Sequence, residues 1–411
     1  MKDITKMLHM DRLSNSTHGE LHTPTYRNIA YSHKNFDSIC ETFQGKKKGY
    51  TYGRQCNPTV ASLEKKISFL ENSIGSICFS TGMNAIGSLL FALLQSGDHI
   101  IVSRYIFGNS RSLFISLEKF NIEVDFVDST NVDNIKKHIK KNTIMVFVET
   151  IANPMTQVAD LKEIGRFCQE LSLVYVVDNT MTSPVLFKPA GVNASLVINS
   201  LSKYIGGHGT CLGGSVSDTG KYDWTNFKGI DPFYKDRFPV EKLALTQIAK
   251  KSLRDLGGTL SSDSANLISI GSDTLYLRVE RICKNALIIA KFLNSHKLIN
   301  EILYPGLDTH LQHEKSSSLF SGFGGILSFN LSSTASIKEF TGNVPEISLS
   351  SHLADNRTML IPVAQTIFYE IGKNAKYEMG ISESTVRMSV GIEDPEDICN
   401  ILDKGLKKST R

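Results

Sequence analysis

Residues 173–209 read LVYVVDNTMTSPVLFKPAGVNASLVINSLSKYIGGHG. This stretch contains two short apolar runs, Leu173–Val177 and Leu196–Ile198, and each is followed directly by polar residues. Short apolar runs bounded by polar or turn residues are typical of parallel strands that are covered on both faces of a sheet. The stretch therefore predicts two buried strands of an α/β domain, with polar residues at their carboxyl ends.

Comparable runs lie N-terminal to this stretch, and helix-like segments alternate with them from Thr59 to about Leu260. The runs are Ile77–Ser80, Ile100–Ser103 and Ile144–Val148. Such alternation is typical of a doubly wound α/β domain. We therefore predict a large domain with a mostly parallel sheet over residues 59–261.

The pattern changes on both sides of this domain. Residues 1–58 are polar and weakly periodic, which predicts an arm that contacts a neighbouring subunit. Residues 262–411 contain a helical pattern at Asp273–Leu293 and strand-like runs at Gly325–Leu331 and Thr385–Val390. We expect a smaller C-terminal α+β domain there, because a chain of 411 residues is too long for a single core.

Composition and charge narrow the class of protein. The formal net charge is only +4, from 45 Lys and Arg against 41 Asp and Glu, which argues against a nucleic-acid partner. Seven Cys occur without a C-x-x-C pair, as is typical of free thiols in a reducing compartment. Residues 1–17 lack an apolar signal segment, and the longest apolar stretch, Ala85–Leu94, is too short to span a bilayer. These features predict a cytoplasmic protein without a membrane partner.

Polar residues directly follow the carboxyl ends of three of the predicted strands. In open parallel sheets, ligands bind just outside the carboxyl ends of the strands. Ile144–Val148 leads into Glu149, and the two strands of the opening stretch lead into Asp178 and Asn199. A fourth element, residues 80–83, opens an apolar helix whose free N–H groups would form a phosphate seat. We therefore expect one ligand to be shared by all four segments.

These residue types match the requirements of pyridoxal phosphate (PLP). A lysine supplies the Schiff base, a carboxylate keeps the pyridine nitrogen protonated, hydroxyls with a glycine turn take the phosphate, and an amide holds the ring oxygen. The residues in these roles are, in turn, Lys203, Asp178, Ser200 and Ser202 with Gly82, and Asn153. Each signal is weak alone, because most lysines are surface residues and an Asp after a strand commonly caps a helix. The conjunction predicts a PLP-dependent enzyme.

Other cofactors fit less well. The glycines at 207, 209 and 213 follow a strand like a nicotinamide fingerprint, but they open no helical pattern and no acidic residue ends a second strand about 20 residues on. His310 and His313 have no carboxylate or Cys partners nearby in the sequence, so no metal site is predicted. A non-catalytic PLP-binding protein is a further alternative, although it leaves the retention of Lys203 and Asp178 unexplained.

Five motifs occur in a characteristic order. They are Tyr52-Gly53-Arg54-x-x-Asn57-Pro58-Thr59, Ser80-Thr81-Gly82-Met83, Glu149-x-x-x-Asn153-Pro154, Val176-Val177-Asp178-Asn179-Thr180 and Ser200-x-Ser202-Lys203-Tyr204-x-Gly206-Gly207-His208. Together they closely resemble the Cys/Met-metabolism family of PLP enzymes, which includes cystathionine γ-synthase, cystathionine γ-lyase, methionine γ-lyase and O-acetylhomoserine sulfhydrylase. The resemblance runs from about Pro24 onward and looks closest to the O-acetylhomoserine sulfhydrylases, through Asp218–Trp224, Leu253–Gly257 and Tyr304–Leu307.

The resemblance implies a fold and a role for each matching residue. The fold is fold type I, like aspartate aminotransferase, in a homodimer or homotetramer with shared active sites. Lys203 would form the internal aldimine and move protons among substrate carbons, and Asp178 would pair with the pyridinium. The implied phosphate ligands are Gly82, Met83, Ser200 and Ser202, with Tyr52 and Arg54 reaching in from a neighbouring subunit. The implied ligands of the substrate carboxylate are Arg387 and, as a backup, Ser348.

Three positions depart from the family pattern. A Tyr that stacks on the cofactor ring is replaced by Phe107, which keeps the aromatic face and loses the hydroxyl. Tyr105 is two residues away and would point to the opposite face of an extended segment. Ile151 replaces a Pro, and Arg357 stands in a motif that an acidic residue commonly opens.

The resemblance implies γ-replacement, or γ-elimination, on an activated homoserine through a vinylglycine-type intermediate, as in O-acetylhomoserine sulfhydrylase. Alternatives within the enzyme class are a methionine or cystathionine γ-lyase and a γ-substitution enzyme of specialised metabolism that uses a non-sulfur nucleophile. The expected partners are therefore a small amino acid and a small nucleophile.

Overall fold

A mixed sheet of seven strands forms the large layer of the fold in this computed structural model, which describes residues 2–10 and 18–410. The strands are β1 (Gly75–Phe79), β2 (His99–Ser103), β3 (Glu123–Val127), β4 (Thr143–Glu149), β5 (Val174–Asp178), β6 (Leu196–Asn199) and β7 (Gly214–Asp218). Their spatial order is β1-β7-β6-β5-β4-β2-β3. The five strands from β6 to β3 are parallel, and β7 is antiparallel to both of its neighbours. The predicted α/β fold with a mostly parallel sheet is confirmed.

Strands β1 and β7 differ from the sequence-based expectation. We expected β1 to be a parallel strand, but it lies at the sheet edge, and among the strands of the described residues its neighbour is β7, to which it is antiparallel. Strand β7 has no apolar pattern that predicts it, because serines at 215 and 217 and the terminal Asp218 make it polar although all of it is buried. Since β1 and β6 both run antiparallel to β7, they point the same way, and the carboxyl end of β1 joins the other carboxyl ends at one edge.

Helices cover both faces of the large sheet and lead into the second domain. The helices of the described residues are α1 (Asp3–Leu8), α2 (Phe36–Phe43), α3 (Pro58–Glu71), α4 (Gly82–Leu93), α5 (Gly108–Ser116), α6 (Val132–Lys136), α7 (Leu161–Glu170), α8 (Ser183–Leu186), α9 (Pro232–Lys235), α10 (Leu243–Ile248), α11 (Arg254–Leu256), α12 (Ser262–Asp273), α13 (Leu275–Asn294), α14 (His313–Leu319), α15 (Ile337–Gly342), α16 (Lys373–Glu378) and α17 (Pro395–Lys408). Two apolar cores, one on each face of the sheet, bury its strands.

A second sheet of five strands forms the smaller domain. Its strands are β8 (Ile299–Leu303), β9 (Ile326–Leu331), β10 (Ser348–Leu349), β11 (Met359–Pro362) and β12 (Thr385–Ser389), in the order β10-β11-β12-β9-β8. Helices α13 and α17 pack on this sheet around a core of their own. The smaller α+β unit therefore agrees with the expected fold class, while the boundaries after residues 58 and 261 stay predictions.

The N-terminal segment has little core of its own in the described residues. It exposes several large apolar side chains, among them Ile29, Phe36 and Phe43. Met1 and residues 11–17 lie outside the described residues, and they belong to residues 1–17, the segment on which the absence of a signal was predicted. In the two described ranges, no helix combines the length and the apolar character that crossing a membrane requires.

Candidate active site

One cavity of about 320 Å³ lies where the carboxyl edge of the large sheet meets the smaller domain. Residues from both sheets line it: Thr81, Gly82, Met83, Ile86, Phe107, Ser110, Glu149, Asn153, Asp178, Thr180, Met181, Ser200, Ser202, Lys203, Leu212, Ser351, Leu353 and Arg387. The cavity thus brings together most of the residues singled out in the sequence, although they are spread over more than 300 positions of the chain.

Strand register sets the positions of the acidic residues and the lysine. Glu149 at the end of β4 lies beside Asp178 at the end of β5, and Asp178 lies beside Ile198 in β6. Lys203 follows in the turn after β6, where its N–H donates to the carbonyl of Ser200 at 3.1 Å. Parallel pairing therefore delivers the carboxylates and the amine to one edge.

A buried carboxylate beneath this edge ties two strand ends together. Glu71 at the end of α3 is fully buried and accepts hydrogen bonds from Asn179 Nδ2 at 3.0 Å and from Asn199 Nδ2 at 2.6 Å. Burial raises the pKa of Glu71 to about 7, although both amide donors oppose this rise. The three side chains fix the chain where β5 and β6 end, next to Asp178 and Ser200, which line the cavity.

The N-terminus of α4 also lines the cavity, through Thr81, Gly82 and Met83. Thr81 caps this helix, with its Oγ1 accepting from the N–H of Asn84 at 2.9 Å. A Cβ atom at Gly82 would lie 2.9 Å from the Cβ of Ser200, closer than such atoms approach, so glycine lets the helix start sit against the turn after β6. Because the first N–H groups of a helix have no intrahelical acceptor, this wall is suited to a phosphate.

Burial changes the titration of the central lysine. Burial and, to a smaller extent, the positive charge of Arg387 together lower the pKa of Lys203 to about 8. The Nζ atom lies 3.2 Å from Nδ1 of His352. More of this amine is therefore uncharged near neutral pH than of an ordinary lysine, and the uncharged form is the one that acts as a nucleophile or proton acceptor.

The carboxyl groups of Asp178 and Glu149 lie side by side at the ends of β5 and β4. Burial raises the pKa of Asp178 to about 6, opposed by hydrogen bonds from the hydroxyl and N–H of Thr180, the latter at 2.9 Å. Burial, and then the charge of Asp178, raise the pKa of Glu149 well above its usual value. The Glu149 carboxylate accepts from the N–H of Phe107 at 2.8 Å, which holds the start of α5 at the cavity.

Arg387 reaches the cavity from β12 of the smaller sheet and is 1% exposed. Its Nη1 donates to Asn153 Oδ1 at 3.2 Å, and its Nη2 donates to the carbonyls of Ser351 at 3.0 Å and His352 at 2.9 Å. Its Nε is buried and has no hydrogen-bond partner among the described residues. A buried cation held only by neutral acceptors is poorly compensated, and this arrangement suits an incoming carboxylate.

The aromatic position of the cavity is occupied by Phe107. Its neighbour Tyr105 does not line the cavity, because its hydroxyl donates to Asp128 Oδ2 at 3.0 Å. Burial and this carboxylate raise the pKa of Tyr105 to about 12. The Tyr105 hydroxyl is thus engaged elsewhere and does not replace the one that Phe107 lacks.

Three of the expected site residues lie outside this cavity. Tyr52 is 43% exposed on the N-terminal segment, and the Arg54 guanidinium donates to the carbonyl of Arg254. Their expected role concerns a neighbouring subunit, so it stays a prediction. Ser348 lies in β10 with an exposed side chain, whereas Ser351 borders the cavity.

Sequence reasoning missed His352, Ser351 and Leu353, which approach the site from the segment between β10 and β11. These residues have no strand or helix pattern that predicts where they lie. Glu149 stands in one of the family motifs, but its place in the sequence indicates no role for it. The order of the motifs could have shown that this segment lies near Arg387, but not which of its side chains faces Lys203.

Comparison with known proteins adds an independent finding. The family model for Cys/Met metabolism PLP-dependent enzymes matches residues 4–407. The chain belongs to this family. PLP is therefore its cofactor, and the protein is a PLP-dependent enzyme of the lyase and transferase type that acts in sulfur amino-acid metabolism.

Relatives within the Cys/Met-metabolism family carry several activities. An L-methionine gamma-lyase of Fusobacterium nucleatum subsp. polymorphum is 34% identical, with 98% of each chain covered. An O-acetyl-L-homoserine sulfhydrylase of Leptospira meyeri is 30% identical, covering 99% of this chain and 97% of the relative. A crystal structure of a candidate O-acetylhomoserine (thiol)-lyase from Campylobacter jejuni, which holds N'-pyridoxyl-lysine-5'-monophosphate, superposes with a TM-score of 0.91 at 28% identity over 99% of this chain and 100% of that one. Identity of about 30% to both a lyase and a sulfhydrylase does not separate the two reactions.

The cavity of this family member fits PLP on its own chemistry. It offers an amine with a lowered pKa, a glycine that leaves room at the start of α4, and two serines beside that helix. The buried Asp178 would be favoured in its ionised form by a cationic ring nitrogen. The donors and the charge thus agree with the cofactor that the family requires.

Proposed function

We propose that this enzyme catalyses γ-replacement on an activated homoserine, with an acyl group rather than a thiol leaving the γ carbon. The observation that carries the proposal is the apolar ring of Phe107, which faces the same cavity as Lys203 and Arg387. An amine and a guanidinium suit the α-amino acid part of such a substrate. The wall at Phe107 offers no hydroxyl to protonate a departing group.

Lys203 would hold PLP and transfer protons on the substrate carbons. Its pKa of about 8 supports this assignment, since the neutral amine is the form that attacks a carbonyl and accepts a proton. Asp178 would pair with the ring nitrogen, while Gly82, Met83, Ser200 and Ser202 would hold the phosphate. When bound, PLP supplies an electron-withdrawing ring that stabilises negative charge on the substrate.

Arg387 would bind the substrate carboxylate, and Asn153 would keep the guanidinium oriented. The hydrogen bond of 3.2 Å between these side chains supports this division of roles. Because a guanidinium can bind a carboxylate with two parallel hydrogen bonds, it also sets the orientation of the amino acid. The γ carbon of an oriented substrate is then presented to the remaining walls.

The missing hydroxyl favours an ester over a thioether as the bond that breaks. A positioned general acid contributes on the order of 10²–10⁴ in rate, and a thiolate needs protonation more than a carboxylate does. An acylated homoserine releases a carboxylate and therefore tolerates phenylalanine at position 107. We expect slow cleavage of methionine and cystathionine for the same reason.

The experiment is product analysis by mass spectrometry. The enzyme is supplied with O-acetylhomoserine, O-succinylhomoserine or methionine, each with and without sulfide, and Phe107→Tyr is run in parallel at matched PLP occupancy. We expect the unaltered enzyme to form a sulfide-dependent product from an acylated homoserine and to release little 2-oxobutyrate from methionine. Phe107→Tyr should release more 2-oxobutyrate from methionine than the unaltered enzyme does. Lys221→Ala, which changes an exposed lysine, is prepared and measured in the same way as the control and should leave product release unchanged.

A methionine γ-lyase is the second candidate, supported by the 34% identity to the Fusobacterium enzyme. Fast release of 2-oxobutyrate from methionine by the unaltered enzyme, with no gain in Phe107→Tyr, would favour it over γ-replacement. An acylated homoserine that is consumed without incorporating sulfide would instead direct the search to a non-sulfur nucleophile.

We further propose that two subunits share each active site, with Tyr52 and Arg54 completing the phosphate site of the neighbour. The exposed apolar side chains of the N-terminal segment support an interface there. Mixing Arg54→Ala subunits with Lys203→Ala subunits should restore part of the activity, because one site of a mixed dimer keeps both residues. Full activity in a fraction shown to be monomeric by light scattering would contradict this assembly.

A further inference from the structure

The turn that follows β6 carries Lys203, and its backbone folds back on itself. The N–H of Gly206 donates to the carbonyl of Leu201 at 2.9 Å, and the N–H of Gly207 donates to the carbonyl of Lys203 at 2.7 Å. These bonds set the shape of the turn, but they do not fix it against the rest of the domain. The direction of the lysine side chain therefore depends on contacts that the turn makes with other elements.

Arg278 of α13 provides such a contact, and its side chain is buried. Its Nη1 donates to the carbonyl of Tyr204 at 2.7 Å, and its Nη2 donates to the carbonyl of Ile205 at 3.2 Å. Its Nη2 also donates to the carbonyl of Gly271 at 2.7 Å, and its Nε donates to Thr274 Oγ1 at 3.0 Å. The guanidinium therefore joins the turn after β6 to the junction of α12 and α13.

Glycines leave the space that this contact requires. A Cβ atom at Gly207 would overlap the guanidinium of Arg278, and the φ of 71° at Gly207 is one that other residues rarely adopt. A Cβ atom at Gly271 would likewise overlap the carbonyl of Gly206, so α12 also approaches the turn closely. The two glycines that follow Lys203 in the sequence motif thus lie where Arg278 and α12 meet the turn.

The guanidinium of Arg278 is a rigid and charged contact. Burial lowers the pKa of Arg278 to about 10, although the charge of Asp355 opposes this change, so the group is cationic at pH 7. A guanidinium presents its N–H donors in one plane with a fixed geometry, and a buried cation is costly unless its donors are hydrogen-bonded. Movement of the turn away from Arg278 would leave donors without acceptors, so these bonds resist such movement.

We propose that Arg278 is a positioning residue, which holds the carbonyls of Tyr204 and Ile205 so that the amine of Lys203 faces the substrate. Arg278 is not among the residues that line the cavity, so it acts through the turn and takes no part in proton transfer. The inference rests on the proposed function, which assigns the cofactor linkage and the proton transfers to Lys203. Displacing a reacting group by about 1 Å can cost about 10²-fold in rate, so a small shift of the turn would matter.

The first test compares three variants of the holoenzyme. Arg278→Met removes the donors, Arg278→Lys keeps the positive charge without the planar set of donors, and Arg281→Met changes an exposed arginine one turn further along the same helix. We expect kcat with an acylated homoserine to fall about 10²-fold in Arg278→Met, less in Arg278→Lys, and not at all in Arg281→Met. KM should change little, because Arg387 has hydrogen-bond partners of its own.

The second test needs no turnover. Cofactor-free protein is acetylated with a trace of acetic anhydride at a series of pH values, and mass spectrometry of the peptide that contains Lys203 gives the pKa of this amine. If the turn shifts in Arg278→Met, the amine loses part of its burial, so its pKa should rise from about 8 toward the ordinary value of 10.5. Arg281→Met should leave it unchanged. A role in stability alone would lower the free energy of unfolding and leave the titration of Lys203 in the folded protein unchanged.

The inference is overturned if folded Arg278→Met keeps the kcat and the Lys203 titration of the unaltered enzyme. A fall in kcat with an unchanged titration also overturns it, because the effect would then not pass through Lys203. If Arg278→Met does not fold, the same two measurements on Arg278→Lys decide. By contrast, an unaltered enzyme that does not convert acylated homoserines contradicts the proposed function, and the titration then decides by itself whether Arg278 positions the turn.

Discussion

The two ends of the active site are built in different ways. The cofactor end, defined by Asp178, Lys203 and the start of α4, lies at strand and helix termini of the large domain. The substrate end, defined by Arg387 and residues 350–355, combines one strand of the smaller sheet with an irregular segment. The cofactor end was predicted residue by residue from the sequence, whereas at the substrate end Ser348 was singled out and His352 was missed.

The difference between the two ends shows that a local sequence pattern determines where a residue lies only if that residue is in, or directly next to, a regular strand or helix. Register between parallel strands puts Glu149 beside Asp178 because each pairing is repeated along the sheet. The irregular segment has no such repeat, and it includes Ala354 with φ of 59°, a conformation that residues other than glycine rarely adopt. Its direction is set by contacts with Arg387 and Ser389 from β12.

The largest effect is expected at the cofactor end. Lys203→Ala should reduce turnover at least about 10⁴-fold, the upper range for a positioned acid–base group, and should abolish the linkage that borohydride reduces. Peptide mapping after reduction identifies the lysine that carries the cofactor. Fixation to another lysine in the unaltered enzyme would reverse the assignment of this end.

A smaller effect is expected at the substrate end, where two substitutions compare the predicted ligands. Arg387→Lys keeps the positive charge but loses the planar pair of N–H donors that can bind both oxygens of a carboxylate. It should raise KM about 10–100-fold, as expected for the loss of one hydrogen bond to a charged group. Ser348→Ala should leave KM unchanged, because its exposed side chain does not border the cavity. A rise in KM for Ser348→Ala would restore the ligand role that the family resemblance implied.

The smallest effect concerns the stability of the cofactor-free protein. The pKa of Asp178 is raised from 3.8 to about 6 in the folded state, so this residue favours folding most below pH 4 and loses that contribution as the pH rises through 6. Asp178→Asn should therefore stabilise the cofactor-free protein by about 1–3 kcal/mol at pH 8, and by less at pH 5. Urea unfolding at both pH values measures the difference.

The control for this prediction is Asp236→Asn, which changes an exposed carboxylate. It should leave the unfolding free energy nearly unchanged at both pH values. Destabilisation by Asp178→Asn at pH 8 would mean that the ionised carboxylate has a favourable partner in the folded protein. In that case the cofactor-free protein would already compensate the charge of Asp178, without a cationic ring nitrogen.

The elements that sequence reasoning found were those whose local pattern matches their burial. Strands β2, β4, β5 and β6 and helix α13 lie within a few residues of their predicted positions. Strand β3 was missed because it lies at the sheet edge and is half-exposed, and β7 because it is polar although buried. The antiparallel pairing of β1 follows from the insertion of β7 beside it, which no pattern within β1 could indicate.

The sequence by itself determined the family, the cofactor and the roles expected of Lys203 and Asp178, because these depend on residue types at the ends of strongly patterned strands. Only the tertiary structure decided that His352 contacts Lys203 and that Ser348 does not border the cavity. The physical reason is that contacts between distant irregular segments are set by the packing of two domains. Packing depends on the whole fold, whereas strand and helix patterns are local.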